Sequence, residues 1–183
     1  MTKKKELIIS SIIVLIFVIL WWIFKPVKIN GNAMAPNYHE NDKWIVNKLQ
    51  YKFSAPKRGD VVIFRYYNQQ GFEYIGRIIG LPKEKLAIKL GKVFINNVEL
   101  KENYLSPGVL TKTMNPVKME WIDETKGKLV EIEANKIIEE GVEILIPENE
   151  YFVLMDNREK AADSRSLGFV KEKDIIGSLF LKY

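Results

Sequence analysis

A mostly β fold, an antiparallel and barrel-like sheet domain carried on one N-terminal transmembrane helix, is what this 183-residue sequence predicts. Three observations point to it. Residues 7–24 form an apolar run broken only by Ser10 and Ser11. From residue 43 onward, short runs of alternating apolar residues are punctuated by Gly, Asn, Asp and Pro, the pattern of strands joined by tight turns. The length left after the anchor suits one globular domain with a proper core, and the chain contains no Cys, so that core must stand without disulfides.

The expected organisation is a cytoplasmic N-terminus at 1–6, a membrane helix at 7–24, a linker at 25–30 and an extracytoplasmic β domain at 31–183. A helix of that length nearly spans a hydrocarbon core at about 1.5 Å per residue. A cleavable leader would need a small-x-small site after the run, whereas Trp21, Trp22, Ile23 and Phe24 follow, so the helix reads as a permanent single-pass anchor. The tryptophans suit the headgroup layer, where an indole buries its ring and keeps its N–H wet. Lys3, Lys4 and Lys5 before the run face Lys25, Lys28 and the more distant Lys43 after it, a weak bias toward a cytoplasmic N-terminus. The same residues explain the net charge of +5. Five lysines against Glu6 leave only +1 for everything after residue 28, and no basic block interleaved with aromatics appears there, which argues against nucleic acid. One histidine, His39, and no cysteine leave no set of side chains for an imidazole or thiolate metal centre, and no cofactor is expected.

Strands are expected at 43–49, 60–67, 73–79, 85–90, 92–95, 98–100, 128–133, 142–146, 150–155 and 175–181. Asn96-Asn97 reads as a hairpin turn because Asn tolerates positive φ, and Gly59-Asp60 and Gly91-Lys92 mark further corners. Residues 101–147 read as a variable excursion, weakly periodic at 101–127, with a short helix at 134–140 ended by Gly141.

Four segments carry the functional signal: Gly31-Asn32-Ala33-Met34-Ala35-Pro36, Arg58-Gly59-Asp60-Val61-Val62-Ile63-Phe64, Tyr74-Ile75-Gly76-Arg77-Ile78-Ile79-Gly80-Leu81-Pro82, and Asp156-Asn157-Arg158-Glu159-Lys160-Ala161-Ala162-Asp163-Ser164-Arg165. In order and spacing they resemble the bacterial type I signal peptidases, whose Ser hydroxyl attacks the peptide bond of a secreted precursor while a neutral Lys takes its proton. That chemistry needs a lysine whose charged form is disfavoured by burial and a site of oxyanion donors, and no histidine. The resemblance implies a bacterial plasma membrane and signal peptides of secreted precursors as ligands.

The departures fall on the catalytic positions. The nucleophile position is Ala33, the base position is Gly76, and the position of a Ser that orients the base is Ala161. Met155 stands where the resemblance implies Gly, close to the site. Arg77 is adjacent to the missing base, but alternation along a strand should turn it away from residue 33, and a guanidinium stays protonated at any working pH. These departures predict no enzyme: a catalytically inactive homologue that binds precursor peptides or an active partner signal peptidase. An active membrane serine-type endopeptidase with relocated catalytic groups, and a scaffold with neither property, are the other readings. Peptide-contact candidates are Gly31, Met34, Pro36, Met155 and Asp156. Asn157, Arg158, Asp163, Ser164 and Arg165 read as fold elements tying the C-terminal strands to the core, and His39 is expected to be solvated without a role.

Overall fold

A computed structural model describes residues 3–66, 73–114, 138–159 and 163–183, together with the backbone of 118–123 and 128–133. The apolar run forms helix α1 (Lys3–Ile23), none of whose residues is buried against the rest of the chain. It is long and apolar enough to cross a membrane. It passes without a break into β1 (Phe24–Lys28), which pairs with β2 (Lys43–Asn47) along its whole length, from Phe24 opposite Asn47 to Lys28 opposite Lys43. The linker expected at 25–30 is therefore mostly a strand. Pro26 hides it from sequence reading, because a residue without an N–H is tolerated only at a sheet edge, and β1 is such an edge.

The remaining elements are α2 (Gln50–Phe53), β3 (Val61–Phe64), β4 (Tyr74–Gly80), β5 (Lys85–Lys89), β6 (Lys92–Ile95), β7 (Val98–Glu99), β8 (Lys118–Asp123), β9 (Lys128–Glu133), β10 (Ile144–Leu145), β11 (Glu150–Leu154), α3 (Ser164–Leu167), β12 (Val170–Lys171) and β13 (Ile175–Lys182). A seven-stranded antiparallel sheet runs β1-β2-β13-β3-β4-β11-β12, and a four-stranded sheet runs β10-β5-β6-β7. Shifts in register within β13 and β11 bend the larger sheet. At Gly177 an added Cβ would collide with the Asn47 carbonyl, so only glycine lets β13 approach β2 so closely there. The Asn96-Asn97 turn joins β6 to β7 with φ of 48° and 66°, as its sequence predicts.

Alternation along β3 and β4 sorts the core into faces. Val61, Ile63 and Ile75 pack with Ile29, Met34, Val46 and Met155, and Ala33 lies against this group. Val62, Phe64 and Ile78 pack with Tyr151, Val153 and Leu167 on the other face. A third cluster, built on Ile79, Leu86, Ile88, Phe152 and Leu154, takes in Ile138 and Ile146, with Leu100 and Tyr104 against it. Parts of the excursion at 101–147 thus belong to the core. The helix expected at 134–140 falls partly outside the described residues, and Ile138–Glu140 is not helical.

Candidate functional site

The segment around Ala33 is held by the chain that follows β11. The Asn157 backbone N–H donates to the Ala33 carbonyl at 2.9 Å, and the Asn157 side-chain amide donates to the Asn32 carbonyl at 3.1 Å. Met34 is fully buried beneath this crossing, its sulfur 3.4 Å from the Asp156 backbone nitrogen. Two of the four sequence segments are therefore in direct contact. Among the described residues no acceptor takes the Ala33 N–H.

Asp156 ties in the third segment. Its carboxylate receives Arg77 Nε at 2.8 Å and Nη2 at 2.6 Å, a two-pronged pair buried at both ends. It also accepts from the Asn37 amide at 2.9 Å, which donates in addition to the Tyr104 carbonyl at 2.8 Å. The Arg77 guanidinium lies 4.1 Å from the Tyr104 ring centroid and donates to the Gly59 carbonyl at 3.0 Å, which brings in the remaining segment. Burial works against the Arg77 charge, and the Asp156 carboxylate outweighs it, so the pKa of Arg77 is raised. Burial also raises the Tyr38 hydroxyl, with the Arg77 charge opposing it.

The fold elements sit one step behind. Arg158 donates to the Met155 carbonyl at 3.0 Å and to Glu102 at 2.5 Å, and it bonds the buried Thr111 hydroxyl. Asp163 caps α3 by accepting the Arg165 backbone N–H at 3.1 Å and pairs both oxygens with the same guanidinium. Arg165, without solvent exposure, also donates to the carbonyls of Arg158 and Lys112, and the Ser164 hydroxyl accepts the Val153 N–H at 2.9 Å. Arg158, Asp163, Ser164 and Arg165 are all buried.

The peptide-contact candidates divide. Gly31 has φ of +74° with open space where a Cβ would stand, and Pro36 is exposed, so both are at the surface. Met34, Met155 and Asp156 are 0%, 5% and 2% exposed and face inward. Met155 does lie in the same apolar group as Ala33. The two glycine-flanked strand positions are reversed from expectation. A Cβ on Gly76 would point at Val153 Cγ1, 2.6 Å away, and Phe64 Cε1, 3.3 Å away, into the face opposite Ala33. Arg77 instead shares the Ala33 side with Ile75, because the apolar Ile75 fixes which face of β4 meets Met34. Ala161 lies outside the described residues.

A groove of about 490 Å³ opens beside this loop, between Lys25–Asn30 on one wall and Ile63, Glu73, Tyr74 and Ile75 on the other. The Lys25 ammonium bonds Glu73 at 2.5 Å across it. The wall on the β1 side was missed by sequence reading, as were Glu102, Tyr104, Asn37 and Tyr38, which carry no motif; the groove exists because the curled sheet brings its free edge back toward β4.

Comparison with known proteins places these observations. The family model for "Signal peptidase, peptidase S26" matches residues 4–183. The chain is 30% identical to signal peptidase I U of Bacillus subtilis (strain 168) over 180 residues, which cover 96% of this chain and 86% of that protein. It is 29% identical to signal peptidase IB of Staphylococcus aureus (strain Mu50 / ATCC 700699) over 98% of this chain and 91% of that one. A crystal structure of a signal peptidase I from Enterococcus faecalis V583 is 27% identical, covers 69% of this chain and 98% of its own, and superposes with a TM-score of 0.48. The expectation of no enzyme is corrected by these matches, since the relatives are named as signal peptidase I, which are enzymes, and the family points to one. The expectation rests on the side chains at three positions, Ala33, Gly76 and Ala161, which describe one route to an attacking group and not the activity of the whole chain.

Proposed function

Because this chain belongs to the signal peptidase, peptidase S26, family, we propose that it works on the signal peptides of secretory precursors at a membrane surface, taking the stretch ahead of the cleavage point as an added strand in the groove between β1 and the start of β4. The groove carries the reading. It is bounded by the free edge of β1 and floored by Ile29, Ile63 and Ile75, and main-chain pairing at such an edge gives affinity while alternate side chains enter the floor. Gly31, Asn32 and Ala33 follow directly from its β1 wall, so a bound strand runs on toward the Ala33 N–H, which no described residue accepts and which is a donor suited to a carbonyl oxygen that gains charge.

In this reading α1 crosses the bacterial plasma membrane with its N-terminus in the cytoplasm, and the sheet domain meets precursors as they emerge. The Arg77–Asp156 pair and Arg158 hold the loop in place as positioning residues. Peptide-bond cleavage needs an attacking oxygen, and the methyl group at 33 has none, so in this chain that oxygen comes from another group.

The test is photo-crosslinking of a precursor with a small-x-small site to the full chain in detergent. Crosslinks are expected on Ile29 and Ile75, and Ile75→Trp, which fills the groove, is expected to weaken capture about tenfold, a loss of about 1.4 kcal/mol. Capture that maps elsewhere, or that Ile75→Trp leaves unchanged in a folded protein, refutes the groove.

A further inference from the structure

A second cavity, of about 680 Å³, lies where the membrane helix meets the sheet domain. Its position is fixed by the chain itself. The Lys48 backbone N–H donates to the Ile23 carbonyl at 3.0 Å, so the turn after β2 is clamped to the last turn of α1. The Lys48 ammonium stands 5.8 Å from the Trp22 ring centroid, and both side chains line the cavity. Lys52 of α2 and Lys171 and Lys173, on either side of Glu172, complete its basic wall, and Ile175 and Ile176 supply an apolar one.

The charge is what requires an explanation. Lys48, Lys52, Lys171 and Lys173 have no carboxylate partner among the described residues. The acids in the same wall do not neutralise them: Glu148 is engaged by Lys83, which leaves Glu150 and Glu172, the latter accepting from the Tyr151 hydroxyl at 3.4 Å. Four lysines line one cavity beside Trp22, a residue suited to a headgroup layer, against two carboxylates, Glu150 and Glu172, that no described lysine holds. An anionic surface attracts lysines so placed, and an indole and two isoleucines suit the glycerol and upper acyl carbons next to a phosphate.

We propose that this cavity binds the phosphate of an anionic phospholipid headgroup, holding the sheet domain against the bilayer through Lys48 and Lys52. The proposal uses α1 as a membrane helix and is independent of the groove. Inorganic phosphate shares the chemistry and lacks the glycerol and acyl carbons that the apolar wall receives.

The experiment is native mass spectrometry of the full chain released from detergent mixed with phosphatidylglycerol or phosphatidylcholine, with inorganic phosphate in a third arm. Phosphatidylglycerol is expected to be retained about tenfold more strongly than phosphatidylcholine, and Lys48→Glu with Lys52→Glu is expected to abolish the difference. The milder Lys48→Gln with Lys52→Gln pair, checked for folding by circular dichroism, is expected to reduce it severalfold. Lys57→Glu with Lys101→Glu, an equal charge change away from the cavity, is expected to leave it intact. Equal retention of the two lipids overturns the proposal, as does equal loss in the distant variant. Competition by millimolar inorganic phosphate that displaces the lipid assigns the site to the free ion and overturns it too.

Discussion

Gly76 shows how one missing side chain is tied to its neighbours. A Cβ there would stand 2.6 Å from Val153 Cγ1, closer than packed carbons sit, and Val153 is β-branched and fully buried, so it has no free rotamer to retreat into. Gly76→Lys alone is therefore expected to destabilise the chain by about 1–3 kcal/mol, and Val153→Ala is expected to recover part of that loss in a double-mutant cycle read by denaturant unfolding in detergent. The same logic governs chemistry at the neighbouring loop. Because a side chain at 76 points into the face opposite Ala33, Ala33→Ser combined with Gly76→Lys and Val153→Ala is expected to cleave a small-x-small precursor no faster than Ala33→Ser alone. Strict additivity in the cycle would refute the collision, and a folded triple variant that cleaves faster than Ala33→Ser alone would show that residue 76 reaches the loop. Arg77 and Asp156 carry the opposite lesson: a buried charge pair with two good hydrogen bonds is needed where it is, because removing either partner strands the other away from water.

Elements decide where the functional unit begins. β1 supplies one wall of the groove, pairs with β2 at five positions and reaches Glu73 through Lys25, so it belongs to the sheet domain and not to the anchor. A chain starting at Phe24 is expected to fold and capture precursor in solution, while one starting at Gly31 loses β1, the buried Ile29 and the groove, and is expected to melt earlier and capture nothing. Equal capture by both would show that β1 is dispensable. The boundary was not legible in the sequence because Pro26 and two flanking lysines mask a five-residue edge strand. Central strands were legible, since β3, β4, β5, β11 and β13 must bury apolar residues and so carry a pattern. The fold brings the four motif segments into contact, and they were legible because a buried Arg–carboxylate pair and a capped turn need particular residues. The facing of Gly76 and Arg77 was not legible: alternation says that neighbours face opposite ways, and only the packing of Ile75 against Met34 says which way each one faces. Glu102, Tyr104 and Thr111 were hidden for a different reason, since a loop that fills gaps in a core has no period.

At the scale of the whole molecule, three tyrosines in different parts of the domain, Tyr151 buried and Tyr51 and Tyr104 half-buried, set its response to alkali. Tyr51 on α2 donates to Asp60 at 2.8 Å, Tyr104 donates to Glu102 at 2.5 Å, and Tyr151 on β11 donates to Glu172, just past β12, at 3.4 Å. Burial first, and the facing carboxylate second, raises all three above the ordinary 10.0, Tyr151 to about 12 and the other two further. The sign follows from proton counting. Below pH 10 the folded and unfolded chains both keep these phenolic protons, and stability does not depend on them. As pH rises past 10 the unfolded chain releases them while the folded chain holds them, so the unfolded state binds fewer protons and stability falls with pH. Each contribution stops growing once its folded pKa is passed, near 12 for Tyr151. The denaturant midpoint is therefore expected to stay level with respect to these groups up to pH 9 and to decline from pH 10 upward. Tyr151→Phe, which loses only a long hydrogen bond, should make that decline shallower with little change at neutral pH. Because the three residues sit on elements that share one packed body, the loss should appear as a single cooperative transition at every pH. A midpoint that holds level through pH 11, or a decline that Tyr151→Phe leaves as steep, would show that these phenols are not the groups that titrate.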